Sequence, residues 1–144
     1  MFIRYNYHEF VVCEDPMSIG FFDSGIGGIT VLAEAVRQLP QENFIYYADT
    51  DHVPYGTKDK EQVKKFILDA ADFMGRQGIK ALVVACNTAT SIAINDLRAK
   101  YRFPILGMEP AVKPAVEKNG SKRIMVTATP LTLREEKYQN LITR

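Results

Sequence analysis

An α/β fold, with a parallel sheet of about five strands and helices on both faces, is predicted by two observations. Five short apolar runs alternate with longer segments whose apolar residues recur at helical spacing. Each run ends in a cluster of glycine, small polar or acidic residues, and such strand-to-helix turns gather at the carboxyl edge of a parallel sheet. Right-handed crossovers follow from strand twist. No internal repeat, low-complexity tract or flexible linker divides the pattern.

Ile19–Phe22 is an apolar strand ending at Asp23, Ser24 and the glycines Gly25, Gly27 and Gly28. The next helix places Val31, Leu32, Ala35, Val36 and Leu39 on one side and is closed by Pro40. Phe44–Ala48 is the second strand, ending in Asp49, Thr50 and Asp51. A loop through Tyr55 and Gly56 leads to a long helix with Val63, Phe66, Ile67, Ala70, Phe73 and Met74 at core spacing, stopped by Gly78. Ala81–Ala85 is the third strand, with Val83 and Val84 giving it β-branched character, and the helix after it carries Ile92, Ala93, Leu97 and Tyr101. Pro104 precedes a short fourth strand at Ile105–Met108, followed by a helix opened by Glu109 and Pro110 and running through Val116. Arg123–Thr127 is expected to be the fifth strand, and Thr132 with Glu135 has the spacing of a capping box for a last helix. This order describes an open, flavodoxin-like sheet.

Residues 1–16 stand apart from this pattern and read as a leading extension, with Met17 as an alternative start immediately before the first strand. Their apolar residues are interrupted by Arg4, Asn6, His8 and Glu9, so they lack a signal-peptide core. An extra strand is compatible with them, and no function is assigned there.

Composition excludes several function classes. With 18 basic and 17 acidic residues, the net charge of +1 supplies no bulk field for nucleic acid or an anionic membrane. No apolar run approaches the roughly 18 residues of a membrane span. Cys13 and Cys86 are too far apart in sequence to suggest a disulfide or metal framework, and His8 and His52 lack zinc-site spacing. A reducing, cytoplasmic location is expected.

Two turns carry chemistry. Cys86 follows a core strand and precedes a helix, where unpaired N–H groups favour a thiolate, and Asn87, Thr88 and Thr90 add donors around it. A cysteine in this place is more often packing than chemistry. The second turn, Asp23-Ser24-Gly25-Ile26-Gly27-Gly28, has the same placement and exposes N–H groups at another helix start. It partly imitates a dinucleotide fingerprint, with Asp49 placed for a ribose, but Thr30 replaces its last glycine and Asp23 sets a negative charge beside any pyrophosphate. A carboxylate, a thiol, an amide and several hydroxyls converging on one edge suit a small zwitterion, and that edge also collects Glu109 and Thr127–Thr132.

The stretches FFDSGIGG, YYADTDHVPYG, VVACNTATS and TATPLT, in this order, resemble the amino-terminal half of the glutamate racemases, within the aspartate/glutamate racemase superfamily. The resemblance runs from about Ser18 to the end of the chain, and departs from the common pattern at Ala128 and Glu135. It implies residues 17–144 as the amino-terminal catalytic domain of a two-domain racemase, with the second domain outside this chain. It also implies interconversion of L- and D-glutamate by two cysteines on opposite faces of the substrate, without cofactor or metal, supplying D-glutamate for peptidoglycan. Cys86 matches one of those cysteines, and Asp23 the carboxylate near the ammonium and the thiol. Ser24, Tyr55, Gly56, Asn87, Thr88, Thr129 and Thr132 match positions that hold the substrate's amino and carboxylate groups, while Cys13 matches no motif. The expected partner is glutamate, with no nucleic acid or membrane, and family members commonly pair as homodimers. The alternatives are a nucleotide- or flavin-binding module, and a non-catalytic fragment of a related amino-acid racemase.

Overall fold

The first apolar run becomes the centre of the sheet. In the computed structural model, which describes residues 2–5, 18–120 and 122–142, strand β2 (Ser18–Asp23) lies between β3 (Phe44–Ala48) and β4 (Ile79–Val84). Strand β5 (Ile105–Gly107) continues the sheet beyond β4, and β1 (Phe2–Tyr5) forms its other edge, giving the order β1-β3-β2-β4-β5. The four strands from β2 to β5 are mutually parallel, whereas β1 runs antiparallel to β3 with Phe2 opposite Tyr47 and Tyr5 opposite Phe44. In chain order the parallel strands lie 2-1-3-4, the flavodoxin-like arrangement, whose topological switch point falls between β2 and β4.

Strand periodicity explains the two cores. Phe21, Phe44, Tyr46 and Ala48 point to one face and pack with Val31, Leu32, Ala35 and Val36 of α1 (Ile29–Gln38). Their neighbours Phe22, Ile45, Leu82 and Val84 point to the other face. There they meet Val63, Ile67 and Met74 of α2 (Lys60–Arg76) and Ala89, Ala93 and Leu97 of α3 (Asn87–Lys100). Helices on both faces are thus present, and burial on both sides explains why these strands are nearly continuous apolar runs.

Local signals set the helix boundaries. Asp59 caps α2 by accepting the N–H groups of Glu61 at 3.0 Å and Gln62 at 3.1 Å. Beyond α2, Gly78 takes φ 74°, a left-handed conformation that glycine adopts without the steric penalty of a Cβ. Strand β4 starts immediately afterwards, two residues earlier than the apolar run suggests. Helix α4 (Val112–Asn119) starts after Pro110 rather than at Glu109, and Gly120 ends it.

Two expectations are corrected. Arg123–Thr127 is not a strand: among the described residues it joins no ladder, and Met125 is 87% exposed. A parallel strand is stabilised by cover on both faces, and this segment lacks it. The last helical region also differs. Thr129, not Thr132, caps α5 (Pro130–Arg134), accepting the Thr132 N–H at 3.2 Å. Pro130 is the reason, since proline suits the first helical position and puts the cap one residue before it. Glu135 ends α5 and pairs with Lys60 at 2.8 Å instead of closing a capping box, and α6 (Glu136–Ile142) follows. Among the described residues no helix is long and apolar enough to cross a membrane.

Candidate active site

The switch point brings the two singled-out turns together. Asp23 ends β2 and is nearly buried, with the Gly25 N–H donating to its Oδ1 at 2.7 Å. Burial pushes the Asp23 carboxyl up, while hydrogen bonds from the Gly25 and Gly28 backbones pull it back. Gly25 belongs to the turn that leads into α1, and the Asp23 carboxylate sets a negative charge beside it, which opposes a bound pyrophosphate.

Cys86 approaches from the neighbouring strand. It follows β4 after Ala85 and caps α3, its Sγ accepting the Ala89 N–H at 3.4 Å. The sulfur thus takes the place that a serine or aspartate oxygen usually fills at a helix start. The thiol is free and 8% exposed, and the Ser24 hydroxyl lies 3.5 Å from it. Ser24 links the β2 turn to the β4 turn through this contact. Cys13 lies outside the described residues.

The fit around Asp23 is close. A Cβ on Gly28 would lie 2.8 Å from the Ala85 Cβ and 2.9 Å from the Asp23 Cβ. Gly28→Ala is therefore expected to destabilise the fold by about 1–3 kcal/mol, the usual cost of overpacking. Urea denaturation should show a lower midpoint with an unchanged slope.

A second cluster forms beside Cys86 on the same helix start. The Thr88 hydroxyl lies 3.0 Å from those of both Thr129 and Thr132, and these two are 2.9 Å apart. Each hydroxyl has one proton, so the ring can satisfy its three donors internally. A threonine that donates to a ligand carboxylate must first turn out of the ring. The turn Tyr55–Thr57 backs this cluster, and a Cβ on Gly56 would come within 2.5 Å of the Thr129 Cβ.

The remaining expected residues are placed differently. The Tyr55 hydroxyl is buried and donates to Asp49 Oδ2, while His52 Nδ1 lies 2.7 Å from Asp49 Oδ1. Burial, reinforced by the Asp49 contact, pushes the Tyr55 phenol strongly upward. Both Asp49 oxygens thus hold the Asp49–Tyr55 loop together, against the ribose role considered for it. Asn87 is exposed and borders a small cleft with Glu109, Thr132 and Tyr138. Tyr138 and Tyr46 were not anticipated. For Tyr46 a signal existed: a tyrosine in a run buried on both faces has a hydroxyl that needs a partner.

Comparison with known proteins identifies the family. The family described as Asp/Glu/Hydantoin racemase matches residues 24–144. The glutamate racemase of Halothermothrix orenii is 66% identical over 128 residues, covering 89% of this chain and 51% of that protein. A solved structure of glutamate racemase from Aquifex pyrophilus superposes with a TM-score of 0.81 at 38% identity, over 88% of this chain and 51% of that one. A Francisella tularensis glutamate racemase, described in complex with D-glutamate, gives a TM-score of 0.74 at 33% identity, over 88% and 48%. The chain spans about half the length of the curated relatives it matches. With the sheet order, the paired turns and the match over residues 24–144 in agreement, the chain belongs to the Asp/Glu/Hydantoin racemase family.

Proposed function

We propose that this chain forms one proton-transfer face of a cofactor-independent glutamate racemase, with Cys86 acting at the α-carbon. The observation that carries this reading is Cys86 at the start of α3, its sulfur 3.5 Å from the Ser24 hydroxyl at the switch point that Asp23 also borders. The relatives named glutamate racemase, one of them described with D-glutamate, support the choice of substrate.

In this reading the Cys86 thiolate removes the α-hydrogen as a proton, and the C–H electron pair is delocalised toward the substrate carboxylate. A second thiol returns a proton to the opposite face, the centre inverts, and Cys86 is left as a thiol. The resemblance to the glutamate racemases assigns that second thiol to a second domain. For the other enantiomer the roles exchange. The start of α3 and, once bound, the substrate ammonium set positive charge beside the Cys86 sulfur. Asp23, at the same switch point, assists proton transfer. Ser24, Tyr55, Gly56, Asn87, Thr88, Thr129 and Thr132 surround the amino and carboxylate groups. For Tyr55 the backbone is the available partner, because its hydroxyl is committed to Asp49. Residues 17–144 constitute this catalytic domain, residues 1–16 its leading extension. The wider role includes D-glutamate supply for peptidoglycan, a cytoplasmic location and a homodimer.

The thiol can be tested directly. Iodoacetamide should alkylate Cys86 in the native chain, as resolved by peptide mass, because a sulfur at a helix start is reactive when reagent reaches it. Alkylation of Cys86 only after denaturant would identify it as a core residue and overturn the reading.

A further inference from the structure

Tyr46 lies in the middle of β3, fully buried on the face that packs beneath α1. Phe21 and Phe44 fill the same layer without a polar atom, so the tyrosine hydroxyl is the feature to explain. It donates to the Gly25 carbonyl at 2.9 Å. The Gly25 N–H in turn donates to the Asp23 carboxylate at 2.7 Å. One side chain from a neighbouring strand therefore ties down, at Gly25, the turn that carries Asp23 and Ser24.

We propose that Tyr46 is a positioning residue of the proton-transfer site, its hydroxyl fixing the Asp23–Gly28 turn so that Asp23 and Ser24 face the Cys86 sulfur. The proposal rests on the racemase reading given above. Its geometric basis is independent of any ligand: the 2.9 Å bond to Gly25 on one side and the 3.5 Å approach of Ser24 to Cys86 on the other. Burial first, and the Asp23 charge second, push the Tyr46 phenol up to about 12, so the hydroxyl keeps its proton at working pH and remains a donor to Gly25. A phenylalanine would fill the same volume but leave the Gly25 carbonyl without this partner. The turn would then be held at one fewer point, immediately beside the group that must meet the reacting proton.

The test compares Tyr46→Phe with Phe44→Leu, which disturbs the same apolar layer but removes no hydrogen bond from the turn. Amide exchange by NMR in the 144-residue chain should be at least about tenfold faster at Gly25 in Tyr46→Phe, with β4 amides unchanged. In the racemase completed by the second half, kcat should fall at least about tenfold while KM moves less than about threefold, as for lost alignment rather than lost binding. Phe44→Leu should reproduce neither effect. Should Tyr46→Phe fail to fold, Tyr46→Met removes the same hydroxyl with a more adaptable side chain. Wild-type protection at Gly25, wild-type kcat, or the same pattern in Phe44→Leu would each overturn the proposal. Cys86→Ser, assayed alongside, separates the two levels. Racemization retained by Cys86→Ser defeats the racemase reading and this proposal with it. Racemization lost there but intact in Tyr46→Phe defeats the positioning role alone.

Discussion

Cys86→Ser should abolish racemization of both glutamate enantiomers when this chain is completed by the second half. In the proposed two-thiol reaction each direction uses both proton carriers, one as base and one as acid, so removal of either would stop both. A serine hydroxyl is far harder to deprotonate than a thiol. The expected loss is at least the roughly 10²–10⁴-fold contribution of a positioned acid or base. Binding should suffer less, because the Thr88, Thr129 and Thr132 cluster and the Asp23–Gly28 turn remain. One half-reaction should survive. The opposite thiol still faces its own side of the α-carbon, so elimination from a chlorinated glutamate analogue of one hand should continue while the other hand becomes inert. Near-normal racemization by Cys86→Ser, measured by circular dichroism with chiral chromatography, would remove Cys86 from the chemistry.

The second large effect concerns the 144-residue chain assayed by itself. It should fold at least in part, because the sheet buries apolar side chains on both faces, yet it should not invert glutamate. Inversion needs proton carriers on two faces of one carbon, and the described site presents Cys86 on one. Bulk water is an unpositioned donor at the other face, which forfeits much of the advantage of proximity. In a site open to water each polar contact to the substrate is also weaker. Incubation in deuterium oxide with each enantiomer, followed by NMR and chiral analysis, distinguishes the cases. Slow exchange of the α-hydrogen without inversion is the result expected of a lone base. Inversion at the rate of the completed enzyme would show that the second half is dispensable and the two-thiol account wrong.

Much of the site was legible because strand ends in a parallel sheet are legible. Asp23 and Cys86 could be assigned to one edge from two apolar runs and their polar ends, and the structure sets the Ser24 hydroxyl 3.5 Å from the Cys86 sulfur across that edge. The partners of a side chain were less legible. Asp49 was readable as an acidic residue at a strand end, but not that Tyr55 and His52 occupy both its oxygens. Those contacts depend on how the Asp49–Tyr55 loop folds back, and no periodicity encodes that path. The threonine ring is similar, since residues 41 and 44 positions apart meet only when α5 packs against α3.

The α/β class, strands β2 to β5, the placement of α1 to α3 and the edge where chemistry collects are readable from the residues alone. They follow from hydrophobic period and from glycine and proline breaks, all acting within a few residues of chain. Tertiary structure alone decided that β1 joins antiparallel beside β3, because strand pairing depends on which edge is open rather than on local pattern. It decided as well that Arg123–Thr127 stays out of the sheet despite its β-branched residues, because no second layer covers Met125. And it turned Tyr46 from one more core residue into a clamp on the Asp23–Gly28 turn, since a buried hydroxyl must bond to whatever backbone the fold brings within reach.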